Sequence, residues 1–151
     1  MNNPVGVGFV GSQFISVIHA RALQRNPNAR LIGVASPTPG HAESFARDYS
    51  VPHHFTDYRE MLKRDDIDMV VIGTPNNTHC EITCAAAAAG KHVLAEKPLA
   101  TSYAAALAAV DACARAGVRL GSSHVPPAER VPRRAPGGRE VGHRPRRVGA
   151  R

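Results

Sequence analysis

Short apolar runs alternate with stretches of helical periodicity through the first 121 residues. Val5-Gly6-Val7-Gly8-Phe9-Val10 is an unbroken apolar run of the kind that fills a parallel strand covered on both faces. Phe14, Ile15, Ile18 and Ala22 then recur at helical spacing, until Asn26-Pro27-Asn28 stops the pattern. Arg30–Ala35 predicts a second strand and His41–Tyr49 a helix. His53–Phe55 predicts a weak third strand, and Asp57 can cap a short helix through Leu62. Asp68–Ile72 predicts the fourth strand, Glu81–Ala89 an alanine-rich helix and His92–Ala95 the fifth strand. Ser102 can cap a long helix from Tyr103 to Ala116. Gly117 ends that helix, and Val118-Arg119-Leu120 opens a sixth strand.

Strands alternating with helices predict an α/β fold with a doubly wound parallel sheet. Right-handed crossovers leave the order 3-2-1-4-5-6, with a ligand crevice beyond the C-terminal ends of strands one and four. Gly6-Val7-Gly8-Phe9-Val10-Gly11 spells GxGxxG, but that register would turn the first strand into a loop. The turn that follows the strand is Gly11-Ser12-Gln13-Phe14-Ile15-Ser16. There Gly11 permits the bend, and the backbone N–H groups of Gln13, Phe14 and Ile15 face an anion at a helix N-terminus. Gln13 stands where a second glycine would let a pyrophosphate approach closely, so its side chain must turn aside. Ser16 is small enough to keep helix and strand close.

A dinucleotide-binding fold of this kind commonly carries an acid at the end of its second strand, where it binds the ribose 2′-hydroxyl of NAD. Here the segment is Ser36-Pro37-Thr38. Without a carboxylate nothing repels the 2′-phosphate of NADP, and Ser36 and Thr38 can donate to it. The expected cofactor is NAD or NADP, with NADP at least tolerated.

Composition changes the picture mainly at the C-terminal end. The net charge of +7 is concentrated there: residues 122–151 hold 8 Arg against 2 Glu, whereas residues 1–121 hold 11 Lys/Arg against 10 Asp/Glu. Five of the 12 prolines and no Leu, Ile, Phe or Met fall in 122–151. Such a segment is expected to be a disordered basic tail, giving a domain at 1–121 and a tail at 122–151. Its Pro/Arg/Gly/Ala mixture is what GC-rich coding DNA yields out of frame. A basic nucleic-acid arm is the competing reading, disfavoured because no aromatic residues interleave the arginines. Three sparse cysteines argue against a disulfide framework and fit a cytoplasmic protein. No apolar run is long enough to span a membrane, and no secretory leader is evident. His79, Cys80 and Cys84 fall at helical spacing, but buried small residues explain the cysteines better than a metal site.

Two further motifs lie on the ligand edge: Thr74-Pro75-Asn76-Asn77-Thr78-His79 after strand four, and Glu96-Lys97-Pro98 after strand five. With the Gly11–Ser16 turn and His19, this set resembles the Gfo/Idh/MocA oxidoreductases over about residues 5–121. The resemblance implies a Rossmann domain in which Thr74, Pro75 and Asn76 line the dinucleotide near the nicotinamide ribose, with His79 close by. It places Glu96 and Lys97 beside the nicotinamide, Lys97 being the catalytic candidate that reaches a substrate hydroxyl and helps polarise or deprotonate it. The implied activity is NAD(P)-dependent oxidation or reduction of a sugar, cyclitol or related small molecule. Members of this family carry a second α/β domain with the substrate pocket and usually the oligomer interface; residues 122–151 do not resemble it. The chain alone is therefore expected to be inactive, with oligomerisation a property of the longer parent. A non-catalytic dinucleotide-binding module is the alternative.

Overall fold

The computed structural model describes residues 4–123. Six parallel strands form one sheet in the order β3-β2-β1-β4-β5-β6. They are β1 (Val5–Val10), β2 (Ala29–Ala35), β3 (His53–Phe55), β4 (Met69–Ile72), β5 (His92–Glu96) and β6 (Leu120–Ser123). The helices are α1 (Phe14–Leu23), α2 (His41–Tyr49), α3 (Tyr58–Leu62), α4 (His79–Ala88) and α5 (Tyr103–Ala116). The order is the doubly wound one, with the crossover reversal between β1 and β4.

Side chains alternate across the sheet, as the two-residue period of a strand requires. Val7, Phe9, Val34 and Val71 pack under α1 and α2 with Ala20, Ala42, Phe45 and Ala46. Val10, Ile32, Val70, Ile72, Val93 and Ala95 pack on the other face with Met61 and Leu62 of α3, Ile82 and Ala86 of α4 and Cys113 of α5. Gly6 and Gly8 lie inside β1, as the rejection of the literal glycine motif requires. A side chain at Gly6 would collide with the Asp66 carbonyl, and one at Gly8 would press on Met61 and Ile67. These two glycines serve packing.

Local signals in the sequence match the elements they predict. Asp57 caps α3 by accepting from Arg59 N–H at 2.9 Å, and Ser102 caps α5 by accepting from Ala105 N–H at 3.2 Å. One expectation shifts: β6 begins at Leu120 rather than Val118 and continues to Ser123, two residues beyond the domain boundary expected at 121. In α1, Ser16 is buried as its small size led one to expect, together with Ala20, while Phe14 and Ile18 are 78% and 47% exposed. The helix lies so close to the strands that only small residues fit between them. The remainder of the expected tail, 124–151, lies outside the described residues.

Candidate functional site

The strand ends determine what can meet at the crevice. β1 runs into Gly11, whose φ of 102° lies in the left-handed region that favours glycine. A Cβ there would stand 2.5 Å from the Gly73 carbonyl oxygen. Gly73, just past β4, is equally confined: its Cβ would lie 2.8 Å from Ile15 Cγ2 and 3.0 Å from Ser16 Oγ. Ser16 Oγ in turn donates to the Gly11 carbonyl at 2.9 Å. Two glycines and a serine thus let the β1 turn, the β4 turn and the start of α1 nest together. The N–H groups of Ser16 and Val17 both close on the Gln13 carbonyl. The amides before them, at Gln13, Phe14 and Ile15, are those that helix geometry leaves without partners.

A cavity of about 690 Å³ opens beside this turn. Among the expected residues Gly11, Ser12, Gln13, Ser36, Thr38, Thr74 and Pro75 line it. Ser12 Oγ is buried and has no hydrogen-bond partner. An unpaired buried hydroxyl beside a helix N-terminus is a feature that an anionic ligand would satisfy. A dinucleotide's pyrophosphate fits that donor set. Gln13 turns aside, its Nε2–H donating to His41 Nδ1 at 2.9 Å. Ser36 is only 6% exposed at the end of β2, with Thr38 exposed beyond it.

The far wall contains residues that sequence reasoning missed. Asp57, Tyr58, Arg59 and Glu81 line the cavity, and so does His41. Arg59 bonds Glu81 at 2.6 Å and lies 4.6 Å from the Tyr58 ring centre. Burial, together with the neighbouring Glu81 carboxylate, pushes the Tyr58 phenol above its usual value. Nothing in their spacing along the chain relates these residues to the glycine turn. His41 alone had a signal, since it opens the helix that follows Thr38.

Of the nicotinamide-side candidates Thr74 and Pro75 line that cavity, whereas Asn76, His79, Glu96 and Lys97 lie outside it. Asn76 is exposed on a short 3-10 turn, and Lys97 is exposed at the end of β5 beside a cis bond to Pro98. Phe14 and Ile15 can offer only backbone to the crevice: Phe14 points to solvent and Ile15 packs against Gly73. Two expectations need correction. His79 does not face a ligand: its ring is 0% exposed, and both nitrogens are 2.8 Å from backbone carbonyls, those of Thr74 and Pro98. Glu96 also turns inward. It is 7% exposed and accepts from His19 Nε2–H at 2.7 Å. Burial alone would raise the Glu96 carboxyl. The hydrogen bonds from His19, the Ser123 hydroxyl and the Lys97 N–H outweigh it and hold the group below its ordinary value. Glu96 thereby joins α1, β5 and β6 at the root of Lys97. Among the described residues no cluster of metal-ligating side chains occurs, the three cysteines are free, and no helix is long and apolar enough to cross a membrane.

The reversal between β1 and β4, with a glycine turn beside it, is the architecture of a dinucleotide-binding Rossmann domain. Residues 5–124 match the GFO_IDH_MocA family, described as an oxidoreductase family with an NAD-binding Rossmann fold, and the chain belongs to that family. The chain is 39% identical over 95 residues to the inositol 2-dehydrogenase of Rhizobium meliloti, covering 63% of this chain and 28% of that protein. Among solved structures, scyllo-inositol dehydrogenase of Lactobacillus casei with bound NAD(H) and scyllo-inositol superposes with a TM-score of 0.75 at 26% identity, over 80% of this chain and 36% of that one. A protein of Desulfitobacterium hafniense described as an NADPH-dependent oxidoreductase superposes with a TM-score of 0.76 at 30% identity, over 80% and 34%. The chain spans about a third of the length of the curated relatives it matches.

Proposed function

We propose that residues 1–121, extended by β6 to Ser123, bind NAD or NADP for an oxidoreductase that acts on a hydroxyl-bearing carbon of a sugar, a cyclitol or a related small molecule. When bound, the dinucleotide accepts or donates a hydride at C4 of its nicotinamide. The chain's own residues do the rest. Gly11, Ser12 and the amides of Gln13, Phe14 and Ile15 hold the pyrophosphate, Ser36 and Thr38 meet the adenosine ribose, and Thr74, Pro75 and Asn76 guide the nicotinamide half toward Lys97. Lys97 donates a hydrogen bond to the substrate hydroxyl or carbonyl oxygen and exchanges a proton with it as the hydride moves. Glu96 and His79 support this edge from behind without touching the ligand.

The observation that carries this reading is the unpaired Ser12 hydroxyl in the wall of the 690 Å³ cavity. Titrating the 151-residue chain with NADH and with NADPH, followed by nicotinamide fluorescence, tests it. Both are expected to bind, NADPH at least as well as NADH, because no carboxylate follows β2. Ser12→Ala should weaken both about tenfold, the loss of one charge-assisted hydrogen bond. Absence of binding would remove the proposal, and a strong NADH preference would remove its cofactor clause.

A further inference from the structure

We propose that His79 is a positioning residue that ties the Lys97–Pro98 turn to the Thr74 turn, and so sets where Lys97 stands relative to the cofactor crevice. The proposal rests on the reading of Lys97 as the group that meets substrate.

The geometry is unusual for a histidine. The ring is fully buried at the first turn of α4. Its Nε2 lies 2.8 Å from the Thr74 carbonyl, at the exit of β4, and its Nδ1 lies 2.8 Å from the Pro98 carbonyl, at the exit of β5. Carbonyl oxygens only accept, so a neutral ring donates to one of them; with its hydrogen on Nδ1 it donates to the Pro98 carbonyl and ties the Lys97 turn to the start of α4, which follows directly on the Thr74 turn. The Thr74 turn is braced locally as well, since Thr78 Oγ1 donates within it and lies 2.7 Å from both Thr74 Oγ1 and the Pro75 carbonyl. The Lys97 turn has no such brace on this side. Among the described residues no other side-chain hydrogen bond joins the two turns. Glu96, the carboxylate nearest in sequence to Pro98, is committed to His19, and Glu81 on α4 to Tyr58 and Arg59. Neither pairs with the ring. The two turns follow strand ends that are neighbours in the sheet, Ile72 beside Ala95, and the ring spans them beyond the last ladder pair. Thr74 lines the cavity, so a shift on one side of the clamp is felt on the other.

Three measurements on the 151-residue chain test this. Nitrogen-15 imidazole spectra without ligand should show the ring hydrogen of His79 on Nδ1, assigned by its loss in His79→Phe. An Nδ1 without hydrogen would overturn the clamp, whether or not any dinucleotide binds. His79→Phe fills the space without donors and should weaken NADH binding about tenfold, the scale of one or two buried acceptors left unpaired. It should also change the rate at which an amine reagent labels Lys97. His79→Gln keeps one donor and should fall between wild type and His79→Phe, and it carries the test if the phenylalanine variant fails to fold. Wild-type affinity and an unchanged Lys97 labelling rate in both variants would overturn the proposal. Failure of the wild-type chain to bind NADH would instead sink the functional reading, leaving the spectrum to judge the clamp.

Discussion

At the scale of single residues, the site is a set of side chains whose roles depend on direction. Glu96 and Lys97 are adjacent in sequence and lie on opposite sides of β5's end: the carboxylate turns into the protein and the ammonium out of it. A motif identifies both residues but cannot say which way each points. That is why the expectation held Glu96 and His79 to be ligand contacts when the structure makes them supports. The same inward turn gives Glu96 a pH signature. Its folded carboxyl lies below the ordinary value of 4.5 while its unfolded one does not. A depressed acid contributes stability that is fully present above its unfolded pKa and is lost as pH falls through the folded one. Glu96→Gln should therefore lower stability at neutral pH and flatten the fall in stability below about pH 4.5. Urea unfolding of both proteins across that range checks it. Parallel curves for the two would mean that Glu96 titrates alike folded and unfolded.

At the scale of elements, the alternation of strand and helix was legible because local chemistry determines it. The caps at Asp57 and Ser102 and the apolar run of β1 act within a few residues of themselves. The face of α1 was legible only at Ser16, whose small size signalled close packing on the strand. Hydrophobic periodicity alone assigns bulky residues to the buried side, whereas Ser16 and Ala20 occupy it. The closeness that excludes Phe14 and Ile18 depends also on the partner turns, Gly11 and Gly73, which no window along α1 contains. Gly73 itself drew no notice in the sequence, because it follows β4 and not the glycine turn. Its cradle makes a direct prediction. In Gly73→Ala the new Cβ meets Ile15, which can move, and Ser16 Oγ, which its bond to the Gly11 carbonyl holds in place. The cost should be about 1–3 kcal/mol in urea unfolding, the usual range for overpacking. NADH affinity should fall as well, since the displaced element is the start of α1. Unchanged stability and affinity would show that the three turns are not locked together.

At the scale of the whole molecule, the described residues build an NAD-binding Rossmann domain. The sheet presents a cofactor crevice at its C-terminal edge, and Lys97 stands exposed at that edge, its backbone N–H bonded to Glu96 and its side chain without a hydrogen-bond partner among the described residues. On the α1 face, Met69, Val71 and Leu94 border a groove of about 440 Å³ beside His19, Ala22 and Leu23 of α1. Hydride transfer needs more than a bound dinucleotide. The substrate carbon must be held in line with C4 of the nicotinamide, and such positioning supplies about 7–11 kcal/mol of an enzyme's rate advantage. A single lysine on an open edge can exchange a proton with an alcohol but cannot hold its carbon in place. The chain spans about a third of the length of the relatives it matches, and no group among the described residues is assigned to hold a substrate carbon. Binding and turnover should therefore separate. The 151-residue chain is expected to bind NADH and yet leave inositols, glucose and their keto forms at the background rate, as followed by nicotinamide absorbance. Turnover that disappears in Lys97→Met would reverse this, because it would mean that these residues position a substrate as well as a cofactor.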